Sequence, residues 1–557
     1  MSSFKHRLEK VFGFEVEATE NLEFGDYTAN VAMVRAKENK ENPKELAERI
    51  AGELRENHNL ESIIEKIEAA GPGFINFWLK TDVLLSNLTQ IDSEKGKYGT
   101  SDLGKGKLAI IEYSSPNIAK PFGVGHLRST VIGDAIANLF EAIGWEVMRD
   151  NHLGDWGTQF GKMVYAIKTW GDEEKIKSSN SPVSELVKLY VKFHEASEKD
   201  ESLEDAARAW FKKLEDGDSE ARRIWQLCVD LSWIEFNEVY EILGIKFSSD
   251  FNGGRGLGES FFENRMKSVI DELNAKGLLK TGEGGAKLVF FDKDKYPPAM
   301  IIKKDGATLY HTRDLATDKY RLEKYNPDLI INEVGSEQGL YFKQLFEIEK
   351  LSGWYKEGQR VHVGHGLFLM EGKKMSTRAG KTVELREVLA EAIERAKKLG
   401  NETTNAKAVG VGAIKYFDLL HQPMTNINFD WDRMFALEGN SGPYLQYTVA
   451  RTNSVIAKVK GKRQEMKVPK DVNEEESVIL RSLVRFPEVI ESAALNYSPN
   501  LLCNYLYDLA SKYNGFYNKH KIIGSGSEEF RLALTEAVGQ VLKNGLKLLG
   551  IESPERM

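Results

Sequence analysis

A short loop near residue 120 carries residue types that bind phosphate. The segment Ser114–Thr130 reads SSPNIAKPFGVGHLRST and follows the apolar run Leu108–Tyr113, which predicts a buried strand. Gly123 and Gly125 allow a backbone to approach a ligand closely, and His126 begins a stretch with helical periodicity. Because free N–H groups at a helix start attract anions, the loop predicts a phosphate site. A tight turn with a capping histidine is the simpler alternative.

A second basic loop lies much further along the chain. Gly372–Gly380 reads GKKMSTRAG and follows a strand-like run at Arg360–Leu369. Such a loop can close over a triphosphate and neutralise the charge on departing pyrophosphate. An ordinary basic hairpin turn explains the segment equally well when it is taken alone, so its interpretation depends on the first loop.

Alternating strands and helices must position both loops. Leu108–Arg149 reads as a strand, a loop, a helix that stops at Gly144 and a second strand. Residues from about 166 to 296 look mostly helical and charged. The alternation then returns, with strand patterns at 299–303, 308–310, 329–334 and 360–369 and helical patterns at 315–325 and 340–351. The pattern predicts an α/β fold with a split Rossmann-type parallel sheet, in which ligands bind at the carboxyl ends of the strands.

The flanking sequence completes the predicted organisation. A helix starting at Pro43 and a strand at Phe74–Leu79 indicate a small mixed module in front of the sheet. From about Ala406 the chain reads as helices to its end. We therefore predict four parts: an N-terminal α+β module at 1–100, a Rossmann-type domain at 107–390 with a helical insertion at about 170–296, a connecting helical segment at 391–435, and a C-terminal all-α domain at 436–557.

Composition narrows the class of protein. The chain has 557 residues, 41% of them hydrophobic, and a formal net charge of −8, which excludes a wholly basic nucleic-acid coat. Its two cysteines, Cys228 and Cys503, cannot build a zinc site or a disulfide framework, so we expect a cytoplasmic protein without a protein-bound metal site. No stretch approaches the ~20 apolar residues that span a bilayer, so we expect no membrane partner.

The first loop resembles the ATP-binding signature of class I aminoacyl-tRNA synthetases, in its arginyl form. Gly125 and His126 match the end of the family's His-x-Gly-His, and Gly123 replaces the first histidine. The flanking segments that also agree with the arginyl family are Ser115–Asn117, Lys120 and Leu127–Thr130. The resemblance implies that Gly123, Gly125 and His126 bind ATP, and that His126 and Lys120 are catalytic.

The second loop resembles the Lys-Met-Ser-Lys-Ser element of the same class. Lys374, Met375 and Ser376 match this element, and Lys373 precedes the match. The resemblance implies that all four residues bind ATP and that Lys374 is catalytic. Thr377 replaces the second lysine, as is common in arginyl enzymes. The segment His362–His365 (HVGH) is a better formal match to His-x-Gly-His. We reject it, because it lies in a strand-like run with no amphipathic helix behind it, and predict structural histidines.

Arginine carries a planar cation with five donors, so a pocket for it needs carboxylates and other acceptors. Tyr310 and Asp314 share one face at spacing i, i+4 if their segment is helical, and Asp314 can then form a charge-assisted pair. A helix-capping aspartate is the simpler alternative. In the arginyl family, the matching positions that hold arginine or its adenylate are Glu112, Ser115, Asn117, His126, Tyr310, Asp314 and Gln338.

Both ends of the chain resemble RNA-binding parts of the family. Gly25–Met33 and Ala70–Asn76 resemble the extension that touches the tRNA elbow, and Asn440–Arg451 and Ser553–Met557 resemble the helical anticodon-binding domain. The basic run Lys458–Lys470 can contact RNA phosphates, although such runs are usually solvated loops. Six aromatic residues can stack on bases, although most aromatics at helical spacing belong to a core: Tyr444, Tyr447, Tyr505, Tyr513, Phe516 and Tyr517.

The resemblance implies ATP-dependent ligation of L-arginine to tRNA(Arg) through an arginyl-adenylate, for use in translation. Expected partners are therefore tRNA(Arg), L-arginine and ATP, with Mg²⁺ arriving on ATP, and we expect a monomer. Two alternatives stay open. A class I synthetase for another amino acid would not need acidic groups at Glu112 and Asp314. A non-catalytic RNA-binding relative is suggested by the glycine at position 123.

Overall fold

The N-terminal part is an α+β module with a four-stranded antiparallel sheet of order β1-β2-β4-β3. Its third helix starts as predicted: Asn42 caps the helix and Pro43 occupies its first turn. Its elements are α1 (Phe4–Phe12), β1 (Glu17–Ala18), β2 (Tyr27–Ala29), α2 (Val31–Asn39), α3 (Pro43–Arg55), α4 (His58–Glu61), β3 (Ile64–Ala70), β4 (Phe74–Leu79) and α5 (Thr81–Glu94). The computed structural model describes the chain except for residues 1–2, 20, 293–294, 305–307, 371–372, 375–382, 400–404, 460–468 and 470.

The next elements are the predicted β-loop-α-β unit and the insertion behind it. The unit consists of β5 (Leu108–Glu112), α6 (Gly125–Ala142) and β6 (Glu146–Asp150). The chain then forms six helices: α7 (Gln159–Trp170), α8 (Glu173–Ser178), α9 (Pro182–Ser197), α10 (Ser202–Glu215), α11 (Ser219–Leu243) and α12 (Met266–Ala275). Three short strands follow in a separate antiparallel sheet: β7 (Leu279–Thr281), β8 (Lys287–Val289) and β9 (Ala299–Ile302).

Of the two strands predicted for this region, one forms and the other does not. The strand predicted at 299–303 is β9, which pairs with β8 of the small sheet and not with the parallel sheet. The strand predicted at 308–310 does not form: Thr308 makes one isolated bridge to Ile302, and Tyr310 is already the first residue of a helix. A three-residue apolar pattern cannot distinguish a strand from a helix start, so the neighbouring chain decides.

The second half completes the parallel sheet. Its elements are α13 (Tyr310–Tyr325), β10 (Leu329–Gly335), α14 (Gly339–Leu351), β11 (Arg360–His365), β12 (Phe368–Met370) and β13 (Lys373–Lys374). The order β11-β10-β5-β6, parallel throughout, confirms the split Rossmann-type sheet. The starts of α6, α13 and α14 therefore meet at the carboxyl ends of the strands, where ligands bind in such folds.

Where it is described, the C-terminal part is helical apart from one short strand, which the sequence did not predict and which pairs with β12. Its elements are α15 (Leu385–Leu399), α16 (Ala406–Leu419), β14 (Ile427–Asn428), α17 (Trp431–Met434), α18 (Gly442–Ala457), α19 (Glu474–Val484), α20 (Phe486–Leu495), α21 (Pro499–Lys519) and α22 (Glu528–Leu548). One hydrophobic core runs from the N-terminal module through α6 into these helices. Within the described ranges, no helix is both long and apolar enough to cross a bilayer.

Candidate active site

The structure brings the two predicted phosphate loops together. Gly123 forms an antiparallel bridge with Glu384, and the Val124 N–H donates to the Val383 carbonyl at 2.9 Å. The chain that leaves the second loop is therefore paired with the first loop. At the start of the second loop, Lys373 and Lys374 form β13, which pairs with β12. Met375 and Ser376 lie outside the described residues.

The first loop ends in the helix start that the sequence predicts. α6 begins at Gly125, so His126 is its second residue, half-buried and beside the Phe122 ring at 5.3 Å between centroids. The His126 Nδ1 lies 3.3 Å from the Gly123 carbonyl oxygen. Gly125 and Lys120 are exposed. The positive end of the helix dipole and the two basic side chains can face an anion together.

The loop between β5 and α6 is strained, and hydrogen bonds to the inserted helix α11 hold it in place. Ser114, Ser115 and Ala119 have φ angles of 71°, 43° and 58°, a region that costs non-glycine residues of the order of 1–3 kcal/mol each. The Tyr240 hydroxyl of α11 lies 2.8 Å from Ser114 Oγ, and Ser232 Oγ of α11 accepts from the Ala119 N–H at 2.9 Å. The long helix of the insertion thus stabilises the loop that carries Ser115 and Asn117, through residues the sequence analysis missed.

Acidic side chains surround the predicted ligand Asp314 at the start of α13. The Tyr341 hydroxyl donates to Asp314 Oδ2, and His152 Nε2 lies 3.9 Å from Asp314 Oδ1. Burial raises the pKa of the Asp314 carboxyl to about 6, although His152 and Tyr341 oppose the shift. Burial likewise raises the pKa of Glu259 to about 7, and Asp314 contributes to that rise. The Arg313 guanidinium lies 3.7 Å from Glu259, so the two carboxylates outnumber the one arginine beside them and can accept a further guanidinium.

Three residues of this pocket, His152, Glu259 and Tyr341, were not predicted from the sequence. His152 lies after β6, Glu259 begins the 3-10 turn before α12, and Tyr341 lies in the first turn of α14. Only the fold brings them to Asp314. The predicted Tyr310 is 63% exposed at the start of α13.

The other predicted arginine ligands line the edge of the pocket region. Asn117 in the strained loop and Gln338 before α14 are both exposed. Within the part of the chain that the structure describes, Ser115 Oγ is a buried atom with no hydrogen-bond partner. These three positions thus keep polar groups available to a ligand.

The predicted ligand Glu112 is already engaged by the protein. Glu112 Oε2 at the end of β5 accepts from Arg321 at 2.5 Å, and Asp150 Oδ2 accepts from the same guanidinium nitrogen at 2.6 Å. Burial alone would raise the pKa of Glu112, but Arg321 and His152 outweigh it and lower that pKa. Arg321 also binds Asp318, so one buried cation serves three carboxylates beneath the pocket. This group sets a negative potential under the site without facing it directly.

Replacing Arg321 by methionine should destabilise the fold strongly. Arg321 is 1% exposed, and its removal leaves the buried carboxylates of Glu112 and Asp150 without their arginine partner, while Asp318 keeps Arg360; such a loss costs roughly 3–5 kcal/mol. Urea unfolding of both proteins measures the difference. The matched control is Arg223→Met, because Arg223 binds Glu173 with two hydrogen bonds of 2.7 Å but lies at the surface. The control should change stability by about 1 kcal/mol or less. Equal midpoints for the two variants would contradict a structural role for Arg321.

The rejected segment His362–His365 lies in β11, without a helix start. His365 Nδ1 is 2.9 Å from Glu333 Oε1, and His362 Nε2 is 3.1 Å from the Val334 carbonyl while its ring stacks on Phe342. Both histidines bind the neighbouring strand β10. Among the described residues, no group of three or more His, Cys, Asp or Glu side chains is arranged to hold a metal ion.

Comparison with known proteins identifies the family to which this fold belongs. Residues 87–431 match the family model described as tRNA synthetases class I (R), catalytic domain. Residues 2–79 match the arginyl tRNA synthetase N terminal domain, and residues 445–557 match the DALR anticodon binding domain. The parallel sheet is therefore that of a class I aminoacyl-tRNA synthetase.

Individual relatives agree over nearly the whole chain. An arginine–tRNA ligase of Exiguobacterium sp. is 44% identical over 94% of this chain and 92% of its own length. One from Halothermothrix orenii is 40% identical over 100% of both chains. The crystal structure of arginyl-tRNA synthetase from Plasmodium falciparum has a TM-score of 0.83 at 26% identity, with full coverage of both chains. The chain belongs to the arginyl-tRNA synthetase family.

Proposed function

We propose that this protein joins L-arginine to tRNA(Arg) at the expense of ATP, through an arginyl-adenylate, for use in translation. The observation that carries the proposal is the joining of two features at one sheet edge. The segment that follows the second loop is paired with the first loop at Gly123 and Glu384, and a carboxylate pocket lies at Asp314, at the start of α13. A triphosphate and a cationic amino acid can therefore meet there.

In the first step, the arginine carboxylate attacks the α-phosphorus of ATP and pyrophosphate leaves. In the second step, the terminal ribose hydroxyl of the tRNA attacks the adenylate carbonyl and AMP leaves. The protein contributes position and electrostatic stabilisation, with no nucleophile of its own. We assign the phosphates to Gly123, Gly125, His126 and Lys120 in the first loop and to Lys373, Lys374, Met375 and Ser376 in the second. Mg²⁺ would arrive bound to ATP.

We assign the amino-acid pocket from the charges of the side chains around Asp314. Asp314 and Glu259 bind the guanidinium, and Tyr310 covers it from the exposed start of α13. Ser115 and Asn117 hold the carboxylate and α-amino end beside the phosphate loop, and the exposed Gln338 adds a further contact to arginine. Glu112 acts together with Arg321 from below. Since the pocket needs donors from its ligand, an uncharged side chain of similar size would leave buried carboxylates unpaired.

We assign the elbow of the tRNA to the N-terminal module at 1–100 and the anticodon to the helical domain at 436–557. Tyr513 and Phe516 are fully buried and belong to the core, which removes them as stacking faces. Tyr447 is 41% exposed, and the Arg451 guanidinium lies 4.8 Å from its ring and 5.0 Å from that of Tyr517. Together they form a cationic, aromatic surface suited to unpaired bases.

Arg451→Gln should weaken tRNA binding and reduce its salt dependence. Removal of one phosphate-binding cation lowers the slope of log K against log salt by about one unit or less. Filter binding across a salt series measures both quantities. The control is Lys350→Gln, because Lys350 on α14 forms a surface ion pair with Glu357. Deleting the whole domain is a poorer test, because its helices share the core with α5 and α6. A slope unchanged from wild type would remove Arg451 from the RNA surface.

The deciding experiment for the function is a charging assay with all twenty amino acids and total tRNA. Charging with arginine alone supports the proposal. Charging with another amino acid identifies a different class I enzyme, and RNA binding without any charging identifies a non-catalytic relative. Both cysteines are buried and free, which suits the reducing cytoplasm we propose as its location. The monomer expected from the sequence stays a prediction, which light scattering would check.

A further inference from the structure

One buried histidine in the acidic pocket has an unused ring nitrogen. His152 follows β6, and its Nδ1 lies 3.0 Å from the Leu257 carbonyl oxygen. Because a carbonyl oxygen only accepts, Nδ1 carries the proton of this hydrogen bond. His152 Nε2 is a buried atom and has no hydrogen-bond partner among the described residues. The ring is therefore fixed in orientation, with Nε2 directed towards Asp314 Oδ1 at 3.9 Å.

The groups around His152 make its charge state important. Burial alone would lower the pKa of its imidazole, but the carboxylates of Glu112 and Asp314 outweigh burial and raise it. Charged groups face it from four elements: Glu112 at the end of β5, Asp150 and Asp155 at and after the end of β6, Glu259 in the 3-10 turn, and Asp314 and Arg321 on α13, where Arg313 also pairs with Glu259 at 3.7 Å. The five carboxylates outnumber the two guanidinium groups, so a protonated imidazole would compensate part of the excess negative charge before the substrate binds.

A bound guanidinium would change what Nε2 must do. It brings the positive charge that the imidazolium otherwise supplies, and two cations side by side would repel each other. The two hydrogens of one guanidinium NH₂ group need acceptors about 2.9 Å from the nitrogen, and two acceptors 3.9 Å apart are within its reach. Asp314 Oδ1 is one such acceptor. Neutral His152, with its Nδ1 proton fixed by Leu257, presents a lone pair at Nε2 as the other.

We propose that His152 is a ligand of the arginine side chain, and that arginine binds by displacing the Nε2 proton of His152 into solvent. The guanidinium N–H then donates to the vacated lone pair. This inference rests on the proposed function, because it concerns the same pocket. It makes His152 a specificity-determining residue: a protonated His152 repels arginine, and a neutral one accepts from it.

The first test reads the proton directly. The full chain, with ¹⁵N in its histidine rings, is examined by NMR without and with saturating L-arginine, and the His152 signals are assigned from their loss in His152→Asn. We expect an imidazolium without arginine and the neutral Nδ1–H tautomer with it. An imidazolium that persists with arginine bound would overturn the proposal, as would a neutral ring in both states.

The second test uses kinetics. In His152→Asn, the side-chain amide can still donate to Leu257, but the Nε2 acceptor is lost. We expect the arginine KM to rise on the order of tenfold, with little change in kcat or in the ATP KM. The matched control is His421→Asn, because His421 Nδ1 makes the same kind of contact to the Phe417 carbonyl at 2.8 Å, outside the pocket. Equal arginine KM values in the two variants would refute the proposal.

The outcomes separate this inference from the proposed function. If the wild-type protein does not charge tRNA with arginine, the proposed function fails first and the inference with it. If it charges arginine normally while the His152 signal ignores arginine and His152→Asn keeps the wild-type KM, only the inference fails.

Discussion

Replacing His126 by alanine should slow adenylate formation by about 10²-fold or more. The side chain lies in the first turn of α6, beside the loop that pairs with Glu384, where the charge on the phosphates develops. Loss of one donor to such charge typically costs 10²–10³-fold in kcat. Single-turnover adenylate formation with arginine, ATP and tRNA measures the rate, and thermal melting checks that the variant is folded.

The comparison variant for this prediction is His365→Ala. His365 lies at the end of β11 against Glu333, so its loss removes a buried partner of that carboxylate and should lower the melting temperature. It should cost clearly less than His126→Ala in the rate of activation. A folded His126→Ala protein with a normal rate, beside a folded but inactive His365→Ala protein, would show that the phosphate histidine has been misassigned.

Asp314→Asn should raise the arginine KM by about 10- to 100-fold and leave the ATP KM nearly unchanged. The change keeps the shape of the side chain but removes its charge, and a hydrogen bond to a charged group contributes about 1.5–3 kcal/mol. Steady-state pyrophosphate exchange with varied arginine measures the effect. Asp328→Asn is the control, because Asp328 accepts from the Leu108 N–H at the amino ends of the same strands, away from the pocket. Equal arginine KM values in both variants would exclude Asp314 from the pocket.

The same pocket should make arginine binding dependent on pH. Free Asp314 and Glu259 have raised pKa values of about 6 and about 7, and the guanidinium binds their ionised forms. Protonation therefore competes with arginine at low pH, and the arginine KM should fall as the pH rises through this range. In Asp314→Asn the part of the profile near pH 6 should disappear. A KM that is constant from below pH 6 to above pH 7 would contradict the assignment.

Local signals account for what the sequence predicted well. The glycines before His126 and the periodicity behind it located the start of α6, and the pattern of buried strands gave the parallel sheet. Long-range contacts account for what was missed. Arg321 reaches Glu112 across 209 positions, and Tyr240 reaches Ser114 across 126, so no window of sequence contains both partners. The strands β7 and β8 were missed because each has three residues, fewer than the roughly four to eight over which alternation identifies a strand.

The helix α6 connects the chemistry to the RNA-binding half of the molecule. Its first turn holds His126, and near its other end the Phe140 ring stacks on Tyr497, which follows α20, at 6.0 Å. Its 18 residues span about 27 Å as one unbroken rod. We therefore expect a displacement of the helical domain at Tyr497 to be transmitted along a single stiff element to the loop in front of His126.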